Sequence, residues 1–273
     1  MTDRRPELRA YLESIGVAPV KPSTSPFDPG YDLDTLTGHL EQSAHLMSAL
    51  KLSMCCWMIA DEATTRRKAA AARAHGVPCV SGGGPFEIAI VQHELPAYLD
   101  LCADIGFDRI ECGQGFTDVD LDPAAIVDLA RERGLGVQFE LGSKHDGPFT
   151  DGAVDALLAV GAAWLEAGAE WLVVEARESA SAVGLFDQGG RLNGELADRL
   201  ADRFGLAAIV FEAPTKSSQF ALLSRFGREV QLSNVRLEEL LRVEIFRRGL
   251  HSDSFAEERL RPARRSPQPT GAP

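Results

Sequence analysis

Positive charge is the plainest shortage in this chain. Lysine and arginine total 28 against 40 aspartates and glutamates, a formal net charge of −12. That excludes a general nucleic-acid or membrane-surface binder, because either polyanion repels a like-signed partner. Long apolar runs are missing too: no segment reaches the roughly 20 residues a membrane helix needs. The opening Met1-Thr-Asp-Arg-Arg-Pro6 has no apolar core of a secretion signal, so a cytoplasmic protein without membrane contact is expected. Cysteines are few, at Cys55, Cys56, Cys79, Cys102 and Cys112. An odd count in apolar segments without metal-ligand spacing argues against a disulfide framework or thiolate zinc site, and free buried thiols are expected. The six histidines are scattered, and only His145 and His251 stand near a candidate loop. Neither a histidine-rich zinc site nor a Ser/His/Asp triad is indicated.

What the chain does have is alternation. Apolar runs of strand length are followed by longer segments of helical period, and this repeats along most of the 273 residues. Strands are expected near 23–28, 49–55, 78–82, 108–112, 136–141, 170–175, 207–212 and 229–233. Helices are expected over 33–48, 61–75, 94–105, 122–134, 152–168, 194–204, 216–227 and 236–249. Asp61-Glu62 and Asp122-Pro123 supply helix-start punctuation. Eight β/α units in about 230 residues fit a closed (β/α)8 TIM barrel, with a doubly wound open sheet as the other candidate. The first strand is the least clear, because Lys21 to Asp28 holds two prolines. The barrel is assigned to 22–257, an N-terminal extension with a surface helix to 1–21, and a disordered tail to 258–273.

Four of the expected strands end on a glutamate: Glu111, Glu140, Glu175 and Glu212. Parallel neighbours would gather these carboxylates at one end of the sheet, where such folds do chemistry. The period-2 alternation of strands puts them on the inner face with Gln138, Val173 and Val210, and it turns Lys51 and Ser53 inward as well. Desolvating a carboxylate costs several kcal/mol unless it is paired or metal-bound. For any one of the four, pairing with Lys51, Arg109 or Arg177 is the plainer expectation. For four together a hard divalent cation, Mg²⁺ with oxygen ligands, is the simplest compensation.

The loops beyond the strands add further groups. Ser81-Gly-Gly-Gly-Pro-Phe-Glu87 offers backbone amides at Gly83 and Gly84 that could approach an anion. Lys144 follows Glu140 and suits proton transfer beside a polar substrate, with a solvated loop cation as the bland alternative. Arg177 suits a carboxylate or phosphate, or else a salt bridge to Glu178 or Glu140. Lys216 follows strand 7, and Ser233-Asn234 is expected to open the last helix. Phosphate in such barrels often sits by the loops after strands 7 and 8.

Ser81-Gly-Gly-Gly-Pro-Phe-Glu87, Glu140-Leu-Gly-Ser-Lys144, Glu175-Ala-Arg-Glu-Ser179 with Gly184-Leu-Phe-Asp187, Phe211-Glu-Ala-Pro-Thr-Lys216 and Arg247-Arg-Gly-Leu-His-Ser-Asp253 resemble the phosphosulfolactate synthase family of coenzyme M biosynthesis. The resemblance spans roughly residues 48–256. It implies a (β/α)8 barrel that uses Mg²⁺ to add sulfite to phosphoenolpyruvate. Sulfur attacks the methylene carbon, the metal stabilises the enediolate-like carboxylate, and a lysine protonates the adjacent carbon; Lys144 matches the family's proposed general acid. The expected catalytic residues are therefore Lys144 and Arg177. Lys51, Gly83, Gly84, Lys216 and Asn234 are expected to bind substrate, and a subset of Glu111, Glu140, Glu175 and Glu212 to bind Mg²⁺. A homo-oligomer is expected.

Two positions depart from the family pattern. Its Lys-Phe-Gly-Trp-Gly-Thr on strand 2 is here Lys51-Leu-Ser-Met-Cys-Cys56, and its acidic residue after strand 4 is Gln114. Two other readings stay open: a divergent barrel enzyme using another nucleophile or enol-phosphate acid, and a non-catalytic relative of the heat-stress type.

Overall fold

The structure is a computed structural model that describes residues 7–263. Eight parallel strands close into a barrel in chain order. They are β1 (Thr24–Asp28), β2 (Leu50–Leu52), β3 (Cys79–Ser81), β4 (Arg109–Cys112), β5 (Gly136–Leu141), β6 (Trp171–Val174), β7 (Ile209–Glu212) and β8 (Gln231–Arg236). The barrel shuts through a parallel β1–β8 pairing, which removes the open-sheet alternative.

The helices are α1 (Glu7–Ser14), α2 (Leu33–Ser43), α3 (Cys56–Ile59), α4 (Glu62–Ala74), α5 (Gly84–Val91), α6 (Leu95–Ile105), α7 (Pro123–Arg131), α8 (Asp151–Ala167), α9 (Gly194–Phe204), α10 (Lys216–Phe226), α11 (Leu240–Arg247) and α12 (Ser252–Phe255). Their starts are chemically marked. Asp32, Asp61, Asp122, Thr150, Asn193 and Thr215 each accept a backbone N–H from the first turn, satisfying donors that a helix start leaves unpaired. None of the described helices is long and apolar enough to cross a membrane.

Strand alternation sorts the side chains as expected. Leu50, Leu52, Ile110, Phe139, Leu141, Leu172, Val174 and Phe211 point outward into one apolar layer beneath the helices, where Phe139 stacks on Trp164 at 4.2 Å. Val80, Val173 and Val210 are buried outside that layer, on the inner side.

Three local differences bear on the site. Strand β2 stops at Leu52, and Met54 just beyond it has a left-handed φ of 50°. The glycine-rich stretch after β3 is not an open loop: Gly84-Pro85 begins α5, the proline standing where a helix needs no N–H. Ser233-Asn234 does not open the last helix but lies within β8, and α11 begins only at Leu240. The reason is a bulge. Pro26 brings no N–H to the ladder, and the register slips so that Ser25 faces Ser233 while Pro26 faces Val235. Asn234 is the extra residue, with φ 52°.

The far, N-terminal end of the barrel is tied by Arg247, which is fully buried. Its guanidinium donates to Arg228 O (2.6 Å), Val230 O (2.7 Å), Thr24 Oγ1 (3.0 Å) and Glu244 Oε1 (3.0 Å). It thereby staples the starts of β1 and β8. The extension carries α1, and Ala263 N–H donates to Gly16 O at 3.1 Å. Of the segment expected to be a disordered tail, 258–263 packs on the barrel through the fully buried Leu260; 264–273, like 1–6, lies outside the described residues. Cys79, Cys102 and Cys112 are buried free thiols, while Cys55 and Cys56 are only half-buried.

Candidate functional site

A cavity of about 830 Å³ opens at the C-terminal end of the barrel. Glu111, Glu140, Glu175 and Glu212 all line it, and each is at most 4% exposed. Two lysines divide them. Lys51 Nζ lies 2.6 Å from Glu111 Oε1 and 3.7 Å from Glu212 Oε1. Lys144 Nζ lies 2.6 Å from both Glu140 Oε1 and Glu175 Oε2.

Other donors hold the carboxylates in place. Glu111 accepts from Gln138 Nε2 (2.8 Å) and from the Gly83 amide (3.1 Å). Glu212 accepts from the Ala176 amide at 2.8 Å and from Asn234 Nδ2. Glu175 accepts from the amide of Arg177, a residue in the left-handed region at φ 54°. The Arg177 guanidinium donates to Lys144 O at 3.2 Å. Gly184 packs under Glu175 at φ 57°, and a Cβ there would come within 2.1 Å of Glu175 O, so only glycine fits.

Burial and charge oppose each other here. Burial alone would push Lys51 down, but Glu111, Glu212 and Glu140 hold it above the ordinary lysine range. Burial is likewise outweighed at Lys144, which Glu140 and Glu175 hold high. Burial, with Glu175 and other carboxylates nearby, raises Glu212 well above the usual carboxylate range. Glu140 is raised by burial and by Glu175. Glu175 moves the other way, because Lys144 and its hydrogen bonds outweigh burial. Both lysines are therefore cations at neutral pH, and the site has more carboxylates than ammonium groups to match them.

Of the other expected residues, Gly83, Gly84, Arg177 and Asn234 line the cavity. Lys216 does not. It is the exposed first residue of α10, with its ammonium 5.1 Å from the Phe220 ring centroid. Arg109 is not a partner for the four glutamates either; it pairs with Glu170 and lies over Trp171. Gln114 turns its amide to Val119 O and, with His145, lines a separate recess.

Two charged side chains at or next to the site went unread as functional groups in the sequence. Arg236, at the end of β8, lines the cavity and pairs with Glu238 at 2.6 Å; the bulge at Asn234 moves it there, and no local motif announces a bulge. Glu87 stands in the first turn of α5, buried at 1% exposure between the cavity-lining Gly84 and Ile88 in sequence. Its signal was Gly84-Pro85, a helix start that places Glu87 two residues later on a fixed face.

Among the described residues no three His, Cys, Asp or Glu side chains converge as a metal cage. The donor chemistry nonetheless fits a hard cation. The lining carboxylates are oxygen donors in excess of the ammonium groups, and Asn234 Oδ1, beside Glu212, is a buried acceptor with no partner. Mg²⁺ is commonly held by one or two carboxylates with substrate oxygens completing the shell, so a complete protein cage is not required.

The fold and site define a (β/α)8-barrel protein with a carboxylate and lysine cluster at its C-terminal mouth. Residues 20–253 match the model of the (2R)-phospho-3-sulfolactate synthase (ComA) family, and the chain belongs to that family. It is 32% identical over 183 residues to the phosphosulfolactate synthase of Methanocaldococcus jannaschii, covering 67% of this chain and 73% of that protein. It is 30% identical over 197 residues to the Methanothermobacter thermautotrophicus protein of the same name, covering 71% and 76%. Among solved structures, type I 3-dehydroquinate dehydratase from Clostridium difficile superposes with a TM-score of 0.52 at 10% identity, over 86% of this chain and 96% of that one. That likeness concerns the barrel alone.

Proposed function

We propose that this cavity adds sulfite to phosphoenolpyruvate to give (2R)-phospho-3-sulfolactate. The observation that carries the reading is the Lys144 ammonium, held 2.6 Å from each of two buried carboxylates at the cavity wall, within the Glu140-Leu-Gly-Ser-Lys144 stretch that resembles the family.

The reaction joins an anion to a trianionic acceptor, which water opposes, so the site must first neutralise the acceptor. Lys51, Arg177 and Arg236 are the lining cations for its carboxylate and phosphate. Gly84 offers a backbone N–H at the start of α5, whereas the Gly83 amide is committed to Glu111 and serves the substrate only by placing that carboxylate. A subset of Glu111, Glu140, Glu175 and Glu212, joined by Asn234 Oδ1, would hold Mg²⁺, which supplies a Lewis acid beside the acceptor carboxylate.

The sulfur lone pair then forms the bond to the methylene carbon. The C=C electron pair moves onto the adjacent carbon and into its carboxylate, and the Lys144 ammonium delivers a proton to that carbon. The phosphate ester stays intact. Glu140 and Glu175 aim the ammonium; the amine left after proton transfer takes a new proton from water at the open cavity mouth, favoured by the same two carboxylates.

A second reading has its own observation. Met54 and Phe116 face the cavity mouth while roughly half exposed, so a nucleophile with an apolar body fits that wall better than sulfite does. One assay separates the two: purified protein with phosphoenolpyruvate and Mg²⁺, given either sulfite or a small thiol, with loss of the enol phosphate followed by ³¹P NMR. Consumption with sulfite supports the synthase; consumption with the thiol alone supports the divergent enzyme.

A further inference from the structure

Glu87 belongs to no role assigned so far, yet it is among the most buried charged groups of the chain. None of the described lysines or arginines forms an ion pair with it. Its carboxylate instead takes three donors from the loop after β4: Gly115 N–H at 3.0 Å, Phe116 N–H at 3.0 Å and Thr117 Oγ1 at 2.9 Å. A buried carboxylate spent on one loop fixes that loop strongly, since each charge-assisted bond replaces water that cannot reach it.

The loop it fixes touches Lys144. The Gly115 carbonyl accepts the Lys144 backbone N–H at 2.8 Å and lies 3.4 Å from Ser143 Oγ. A Cβ on Gly115 would meet Lys144 Nζ at 2.9 Å, and Glu140 Oε1 and Glu87 Oε1 at 3.2 Å each. Ammonium and carboxylates therefore crowd around a Cα that carries only hydrogens.

We propose that Glu87 is a positioning residue for Lys144. It locks Gly115 from the N–H side, Gly115 holds the Lys144 backbone from the carbonyl side, and the bare glycine leaves the ammonium room to reach the substrate. The inference rests on the role given to Lys144 above. Small displacements of a catalytic group cost rate far more than affinity, so the effect should fall on kcat.

The test is a double-mutant cycle. Glu87→Gln should lower kcat roughly 10- to 100-fold, with KM for phosphoenolpyruvate within about twofold. In a Lys144→Ala background the same change should cost almost nothing further, because two residues acting through one step are not additive. Gly115→Ala, whose methyl crowds the Lys144 ammonium at 2.9 Å and the Glu140 and Glu87 carboxylates at 3.2 Å while leaving every charge in place, should reproduce the kcat loss. Equal losses in both backgrounds, or a loss confined to KM, would overturn the proposal. Hydrogen exchange adds a readout that needs no turnover: Glu87→Gln should deprotect the amides of Gly115, Phe116 and Lys144 in an otherwise folded barrel. Unchanged protection there overturns the positioning role even if the substrates prove to be others, whereas deprotection by Glu87→Gln together with a wild-type protein inert to sulfite would fault only the reaction assigned above.

Discussion

Lys144 and Glu175 meet at 2.6 Å although 31 residues separate them, because β5 and β6 are adjacent parallel strands and their C-terminal ends rise side by side. The contact joins the proposed proton donor to a neighbouring strand as well as to Glu140 on its own. It gives the first prediction. Lys144→Ala should lower kcat by roughly 10²-fold or more, the usual scale for a general acid, with a smaller effect on KM. It should also lower the melting temperature at pH 8, since Glu140 and Glu175 lose their shared cation. Steady-state kinetics and a thermal melt check the two parts, and near-normal turnover would move the proton to another group.

Glu212 gives a prediction in pH. Its folded pKa lies well above the ordinary 4.5, so between those two values the folded protein keeps a proton that the unfolded chain has lost. Folding stability from this group is present at low pH and declines as pH rises above about 4.5. Glu212→Gln carries no such penalty. Without Mg²⁺, the melting temperature of the variant minus that of the wild type should therefore grow from pH 5 to pH 8. A constant or shrinking difference would mean that Glu212 is ionised throughout.

The Arg247 stretch resembles a family motif, but its geometry is that of a scaffold. Arg247→Met removes a fully buried guanidinium with four well-placed acceptors, and should destabilise the fold by roughly 3–5 kcal/mol in urea titration through unpaired buried acceptors and Glu244. KM of the folded fraction should not change, because the site lies at the opposite end of the barrel.

How far these residues could be read in advance follows from the range of the forces that place them. The four glutamates and Lys51 were legible, because strand period and parallel neighbours fix both their face and their height. Lys144 was legible from its offset to Glu140. Asn234 was expected at the site but assigned to the wrong element, since the bulge arises from Pro26 on a strand about 200 residues earlier. Arg236 escaped for the same reason. Glu87 was quoted within a glycine-rich motif whose most informative feature was its proline. Lys216 sits where the sequence put it, at the start of α10, but Phe220 one turn later draws its ammonium away from the cavity.

Metal dependence gives a further prediction. Chelator should abolish turnover and added Mg²⁺ restore it, while Glu140→Gln and Glu175→Gln should each raise the Mg²⁺ concentration needed for half-maximal rate. In calorimetry, phosphoenolpyruvate should bind more tightly when Mg²⁺ is present, because substrate oxygens complete the metal's shell. Equal affinity with and without the metal would remove Mg²⁺ from the site.

The central claim is the reaction, and ³¹P NMR of phosphoenolpyruvate with the purified protein tests it most directly. With sulfite and Mg²⁺ both present, the enol phosphate signal should be replaced by that of an alkyl phosphate ester, and omission of either should stop the change. Persistence of the enol phosphate with both present and the barrel folded, or its loss without sulfite, would contradict the assignment.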